Sequence, residues 1–421
     1  MSSRLDRSQT GRTQRLKQKA VAAFYNANPV TATKNLDSST RLLLQGGNSS
    51  IYTVDNMGIN TYDPGCGGCE RLPNTLYDYS VSPGSPFGNF GEGHDVAYAN
   101  GLWVAVGYNE NGNNIIWSTV PTKGWTESPG TPFGEDGFVN GIAYGNGLWV
   151  AVGKNENGNN ILWSTDPTTG WTESPGNQFD SFSGGNGIAY GNGIWVAVGN
   201  DGGGQNIVWS TNPTISWSSA NTSFNYVGNG VAYANGLWVA CGEDSDGNNI
   251  LYTNDPKSAW TPSPGQPFGF GPLSGSRGFG TNIAFANGLW IATGQSDTEG
   301  ILNGKNILYT RDPKMGWNVS PGEPFGSGTN NGNKFNSTGI ANGIAAGSGN
   351  WVAVGVDANV PPINNLLYST DPTTEWKKQE TSQTILYNIA TDGIGNWVAV
   401  GYDEDGNNIV CFKLTNKRTL L

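Results

Sequence analysis

Only one histidine, three methionines and four cysteines occur in 421 residues, and charged residues make up just 13% of the chain. With His94 the lone imidazole, any Ser/His/Asp or Cys/His arrangement would have to converge on that residue. His94 opens a strand in GEGHDVAY with Asp95 beside it, which reads as a surface histidine near a strand start. Four cysteines are too few for a disulfide framework in a chain of this size. Cys241 replaces a valine in LWVACG and Cys411 an aromatic in NNIVCF, so both read as buried packing thiols. Cys66 and Cys69 form a C-x-x-C without the second ligand pair a zinc site needs, leaving a local disulfide or two free thiols. No apolar run approaches the roughly 20 residues that span a bilayer. The opening MSSRLDRSQTGRTQRLKQKA lacks the apolar centre of a secretory signal. Phosphate loop, zinc signature and dinucleotide fingerprint are all missing, so no cofactor is expected.

What the chain has instead is 63 glycines and 16 tryptophans. Gly and Asn mark turns, while Trp, Tyr, Val and Ile favour strands, so the composition predicts an all-β protein with many tight turns. A refrain carries them. Aligning on the aromatic of LWVAVG gives Trp103, Trp149, Trp195, Trp238, Trp290, Trp351 and Trp397, at intervals of 46, 46, 43, 52, 61 and 46 residues. Each copy holds the same parts: a strand such as GIAYG, a second such as LWVAVG, a third such as NILWST, and a fourth around GWTESP. Four antiparallel strands repeated at this period describe the blades of a β-propeller. The seventh copy has no fourth strand, whereas Thr75–Gly88 matches the fourth-strand segment Gly124–Gly134. The expectation is therefore a seven-bladed β-propeller over residues 75–421, closed by pairing of Thr75–Val81 with the last strand. Within WVAV, alternation puts Trp and Ala on one face and the two Val on the other, so most tryptophans read as packing between blades.

Two recurrences bear on function. Asn114, Asn160, Asn206, Asn249, Asn306, Asn365 and Asn408 precede the third strand in every copy, which suits a backbone-capping role; sugar-binding pockets between blades are the alternative. The other is the junction STDPTTGW, TNDPKSAW, TRDPKMGW and STDPTTEW, with Asp166, Asp255, Asp312 and Asp371 at its turn, and Val120 or Asn212 replacing the acid in two further copies. This junction resembles the Asp-box, or BNR (sialidase-type) repeat. The resemblance covers roughly residues 75–414 and departs from the family in placing Pro after the acid. In that family the box is a folding element remote from the ligand site, so it implies fold and not activity. The refrain also looks like propeller repeats of phage appendages and large DNA virus virions, which implies a virion or appendage surface, a cytoplasmic protein being the alternative.

An enzyme finds little support. A sialidase needs three arginines around a carboxylate, yet between residues 46 and 414 only Arg71, Arg277 and Arg311 occur. A glycoside hydrolase built on two carboxylates is a minority alternative. Asp244 with Asp246, or Asp403 with Asp405, could offer oxygens to calcium, but solvated hairpin tips fit the spacing better. Residues 1–45 carry eight Lys/Arg and two Asp, so +6 there leaves −17 for the rest of a chain of net charge −11. The acidic propeller should repel nucleic acid and anionic membrane. The arm puts Leu16 and Phe24 at helical spacing among Arg12, Arg15, Lys17 and Lys19, a set suited to docking on a protein partner, with a solvated tail as the alternative. A connector, 46–74, follows. The expected role is thus a non-enzymatic structural or interaction propeller anchored in an assembly by its arm, with a carbohydrate-binding attachment protein as the second reading.

Overall fold

The computed structural model describes residues 42–43, 52–53, 75–155, 158, 160–176, 179, 184–201, 204–269, 278–296, 306–322, 324–325, 339–356, 365–379, 381 and 385–415. Two units divide the chain, 1–70 with 420–421, and 71–419. In the first, Leu42–Leu43 pairs antiparallel with Tyr52–Thr53; the predicted arm residues Arg12, Arg15, Leu16, Lys17, Lys19 and Phe24, and Cys66 and Cys69, lie outside the described residues. The second unit is a β-propeller of four-stranded antiparallel blades. Each blade is named below by its second-strand tryptophan.

The Trp103 blade runs Glu92–Ala99, Leu102–Tyr108, Ile115–Ser118 and Thr126–Glu127, in that spatial order. The Trp149 blade repeats it with Phe138–Gly145, Leu148–Lys154, Ile161–Ser164 and Thr172–Glu173. The Trp290 blade begins at Phe279–Ala286 and the Trp351 blade at Ile340–Gly347, each again four strands. In the Trp397 blade, Ile385–Thr391, Asn396–Tyr402 and Ile409–Thr415 come from the end of the chain, and the fourth strand is Thr75–Val81. Its register, with Leu76 opposite Leu414 and Val81 opposite Val410, is the closure expected from the missing strand. These are five separate sheets. The strands running from Gly184–Gly191 and those running from Val227–Ala234 instead share one eight-stranded sheet, joined through the single pair Asn200 and Val227.

Turn chemistry explains why these segments become hairpins. Asn100 and Gly101 take φ of 51° and 80°, and Asn146–Gly147, Asn192–Gly193 and Asn235–Gly236 repeat the pair. Two successive positive φ values make the tight turn whose twist matches the strands it joins. Packing follows the predicted alternation. Trp149 and Ala151 lie on Val104 and Val106, Trp195 and Ala197 on Val150 and Val152, and Trp238 and Ala240 on Val196 and Val198. The circuit ends where it began, with Trp103 and Ala105 on Val398 and Val400. Cys241 and Cys411 are free, buried thiols in these layers, and burial pushes both up to about 12.

Candidate functional site at the mouth of the ring

The first strands of all blades lie side by side around the centre, and each bulges at the same step. The extra residues are His94, Asn140, Asn186, Asn229, Thr281, Asn342 and Tyr387. A bulge leaves one residue out of the ladder and re-aims its side chain. Here the side chain reaches the next blade. Asn140 Nδ2 donates to Gly185 O (3.0 Å), Asn186 Nδ2 to Gly228 O (3.0 Å) and Asn229 Nδ2 to Gly280 O (2.8 Å). Thr281 Oγ1 donates to Ala341 O (2.6 Å) and Asn342 Nδ2 to Leu386 O (2.9 Å). His94 continues the relay through Nδ1, 3.0 Å from Val139 O. Tyr387 departs from it, its phenol lying close enough to the Glu92 carboxylate for each to shift the other's titration.

The residue after the bulge is glycine in four of these strands, and the approach of the neighbouring strand requires it. A Cβ on Gly187 would lie 2.6 Å from Asn229 O, and one on Gly343 2.6 Å from Asn388 Oδ1. In the other three strands this position holds Asp95, Asn282 and Asn388, and these form a chain. Asn282 Nδ2 donates to Asn388 Oδ1 (3.0 Å), and Asn388 Nδ2 donates to Asp95 Oδ1 (2.6 Å). Asp95 also accepts Val96 N–H (2.7 Å) on Oδ1 and Ile142 N–H (2.9 Å) on Oδ2. A carboxylate suits the end of such a chain, since both of its oxygens accept. Burial nonetheless lifts the Asp95 carboxyl to about 7, against the lowering pull of those N–H donors.

His94 is therefore not the surface histidine that its place in the sequence suggests. Its side chain is 21% exposed, with the rings of Phe138 and Tyr387 edge-on at 6.4 and 5.8 Å. His94 Nε2 lies 3.8 Å from Glu92 Oε2. The His94 ring beside it holds the Glu92 carboxyl below its ordinary value, against partial burial, and the Tyr387 phenol adds to this. Tyr387 is in turn pushed up by burial and by Glu92. One cluster thus gathers the only imidazole, an ionised carboxylate and a phenol. The sequence carried a signal for it: the dipeptide Asn–Gly at 140–141, 186–187, 229–230 and 342–343 becomes His94–Asp95, Thr281–Asn282 and Tyr387–Asn388.

The other singled-out residues are structural in geometry. Asp166 Oδ1 accepts Thr168 N–H (3.0 Å), Asp255 Oδ1 Lys257 N–H (3.1 Å), Asp312 Oδ1 Lys314 N–H (3.0 Å) and Asp371 Oδ1 Thr373 N–H (3.0 Å). Each is a local side-chain-to-backbone turn. The proline after the acid has a role of its own. Ser128 Oγ donates to Pro167 O (2.6 Å) of the next blade and accepts Trp171 Nε1 (3.3 Å). Ser263 repeats this with Pro313 and Trp317, and Ser320 with Pro372 and Trp376. The third-strand asparagines Asn114 to Asn408 are wholly buried, so their amides cannot face a sugar. Asn249 Nδ2 instead donates to Gly269 O and Gly278 O, in the loop leading into the next blade, and Asn408 likewise to Gly88 O and Gly91 O. Asp244 and Asp403 each hold the N–H two residues on. Among the described residues no group of three or more His, Cys, Asp or Glu could hold a metal ion. Arg311 is exposed on its turn.

No protein-family model matches the chain, and no curated protein does. Solved structures match the fold. A structure described as "YCF48 bound to D1 peptide" aligns with TM-score 0.54 at 14% identity, covering 84% of this chain and 100% of the other. YCF48 from Cyanidioschyzon merolae aligns with TM-score 0.51 at 13% identity, over 80% and 98% of the two chains. The WD40 β-propeller domain of Doa1 gives 0.50 at 12% identity, over 81% and 98%. At these identities the likeness establishes the propeller fold. No helix among the described residues is long and apolar enough to cross a membrane.

Proposed function

We propose that the chain is a seven-bladed interaction propeller that holds a protein partner within a larger assembly and performs no catalysis. Counting the eight-stranded sheet as two blades rests on the single residue pair joining its halves, and on the Trp/Ala-on-Val/Val layer between them. The observation that carries the functional reading is the state of the central side chains. Asp95 is held by three N–H donors and sits in a chain with two asparagines, so it is not free to serve opposite a second carboxylate. The four box aspartates are likewise engaged in their own turns.

A surface for a partner exists on the side where each blade leads into the next. Phe90 is 71% exposed there, and Tyr226 occupies the corresponding loop two-fifths exposed. Aromatic side chains on a loop face are a common anchor for protein contacts. That a neighbour in fold is described as bound to a peptide agrees with this use of a propeller. The Asp-box resemblance of the rim turns belongs to the same reading, as does the basic arm, which we assign to anchorage in a virion or appendage. The test is a pair of assays on the purified full chain: hydrolysis of a glycoside panel that includes a sialoside, and binding to a glycan array. The reading expects no turnover and no glycan bound. Turnover lost on Glu92→Gln would make the chain a hydrolase, and selective glycan binding without turnover would make it a lectin.

A further inference from the structure

The repeats act as an internal control on what the ring requires. Asparagine suffices at the bulge in four of the first strands, and a hydroxyl in a fifth, because the relay needs only a donor to the next carbonyl. His94 supplies that donor with one ring nitrogen and leaves the other over. Since Val139 O can only accept, the proton of this bond is on Nδ1. In the neutral ring Nε2 then holds a lone pair, 3.8 Å from Glu92 Oε2. Glu92 is a departure too, because the residue opening the first strand is elsewhere Phe138, Gly184, Val227, Phe279, Ile340 or Ile385. Two acceptors that cannot bond one another thus face each other. A cation with several N–H donors would satisfy both.

We propose that the mouth of the ring receives an arginine side chain from a basic segment of the protein partner, its guanidinium held by the Glu92 carboxylate and His94 Nε2 beside the rings of Phe138 and Tyr387. This rests on the interaction reading above and adds the partner's chemistry to it. A guanidinium carries its donors in a planar fork, pairs with carboxylates through charge-assisted bonds and lies well against aromatic rings. Phe138 and Tyr387 flank the imidazole edge-on from the blades on either side. The Glu92 carboxyl is held below its ordinary value, so its negative charge is in place at neutral pH. Glu92 and His94 remain 33% and 21% exposed, within reach of an incoming side chain.

The face around the mouth carries the matching field. Glu92 lies opposite Tyr108, where the second strand leaves the sheet, so the loops after second strands and those leading into first strands open at the same end. Glu110, Glu135, Asp136, Asp246, Glu404 and Asp405 are exposed on those loops. Among the described residues Lys154 is the only lysine or arginine at that end; the others, from Lys123 to Lys413, lie on the box turns or on third and fourth strands. A face of one sign draws in a partner of the other. Phe90, two residues before Glu92, adds an exposed apolar contact beside the mouth.

The chain's single histidine makes the test specific. A short Gly/Ser peptide carrying several arginines, and its citrulline counterpart, are titrated into the full chain while the imidazole resonances of His94 are followed by NMR at fixed pH. The arginine peptide should shift them to saturation, less tightly as salt rises, and the citrulline peptide should leave them unmoved. Glu92→Gln should weaken arginine-peptide binding roughly tenfold or more, whereas Glu135→Gln, on the rim, should cost about threefold at most. His94→Asn keeps the relay donor and should fold, as its counterparts in other blades do, and should also bind the peptide more weakly by calorimetry. His94 resonances that ignore the arginine peptide, or Glu92→Gln binding it like the parent, would overturn the site and leave the interaction reading standing. Glycoside turnover lost on Glu92→Gln would instead overturn both.

Discussion

At the level of single residues, the inter-blade staple offers the cleanest test. Ser82, Ser128, Ser174, Ser263 and Ser320 each donate to the proline carbonyl of the following blade. Ala220 stands at the same point, where its N–H bonds Ile207 O as Ser174 N–H bonds Ile161 O. The tryptophan it faces, Trp260, has a buried Nε1 with no acceptor. Ala220→Ser adds the bond to a proline carbonyl that all five serines make, and the acceptor for tryptophan Nε1 that Ser128, Ser263 and Ser320 provide, so stability should rise by about 1 kcal/mol in urea denaturation. Asp95 makes a second prediction. Its carboxyl titrates near 7 in the fold against an ordinary 3.8, so the folded state binds the proton more tightly than the unfolded chain. Its contribution is fully present below about pH 4 and is lost as pH rises toward 7. Asp95→Asn removes that slope but sets an amide NH2 against Ile142 N–H. The variant should be destabilised more at pH 4.5 than at pH 7.5, which paired denaturation curves can read; an equal difference at both would refute the assignment.

At the level of elements, closure and loop capping matter most. Thr75–Val81 is the outer strand of the Trp397 blade, and Ser82 ties it onward to Pro121. A chain beginning at residue 86 loses that ladder and exposes Leu414 and Val410, both wholly buried in the intact blade. It should melt well below the parent by calorimetry; equal melting would contradict the closure. Asn249→Ala removes a wholly buried amide that serves three backbone groups. At roughly 1–3 kcal/mol for stranded buried groups, the loss should be visible in a denaturation midpoint.

This is also the scale at which the sequence was most readable. The Asn–Gly pairs announce the hairpins, and WVAV announces both packed faces, because turn chemistry and strand alternation are local rules. The staple was less legible: Pro167 looked like a departure from the box, since its acceptor role depends on a serine in the preceding blade. The central cluster was missed for the same reason. Glu92 and Tyr387 are 295 positions apart in the chain, and only ring closure brings them together. His94 looked exposed because neighbouring letters say nothing of the rings that enclose it. The bridge between Asn200 and Val227 had no local signature at all.

At the level of the whole molecule, the account joins an acidic ring of stapled blades to a basic arm. Repeat packing makes the ring stable through neighbour contacts and leaves its loops free to carry recognition. The proposed docking of the basic arm on a partner should, as a contact between opposite charges, weaken as salt rises. The most direct measurement is cross-linking mass spectrometry on the chain in its native assembly, at low salt. The account predicts that Lys17 and Lys19 link to a second protein, and that a variant spanning 46–421 drops out of the assembly. Full incorporation of that variant, with no inter-protein link from either lysine, would contradict it.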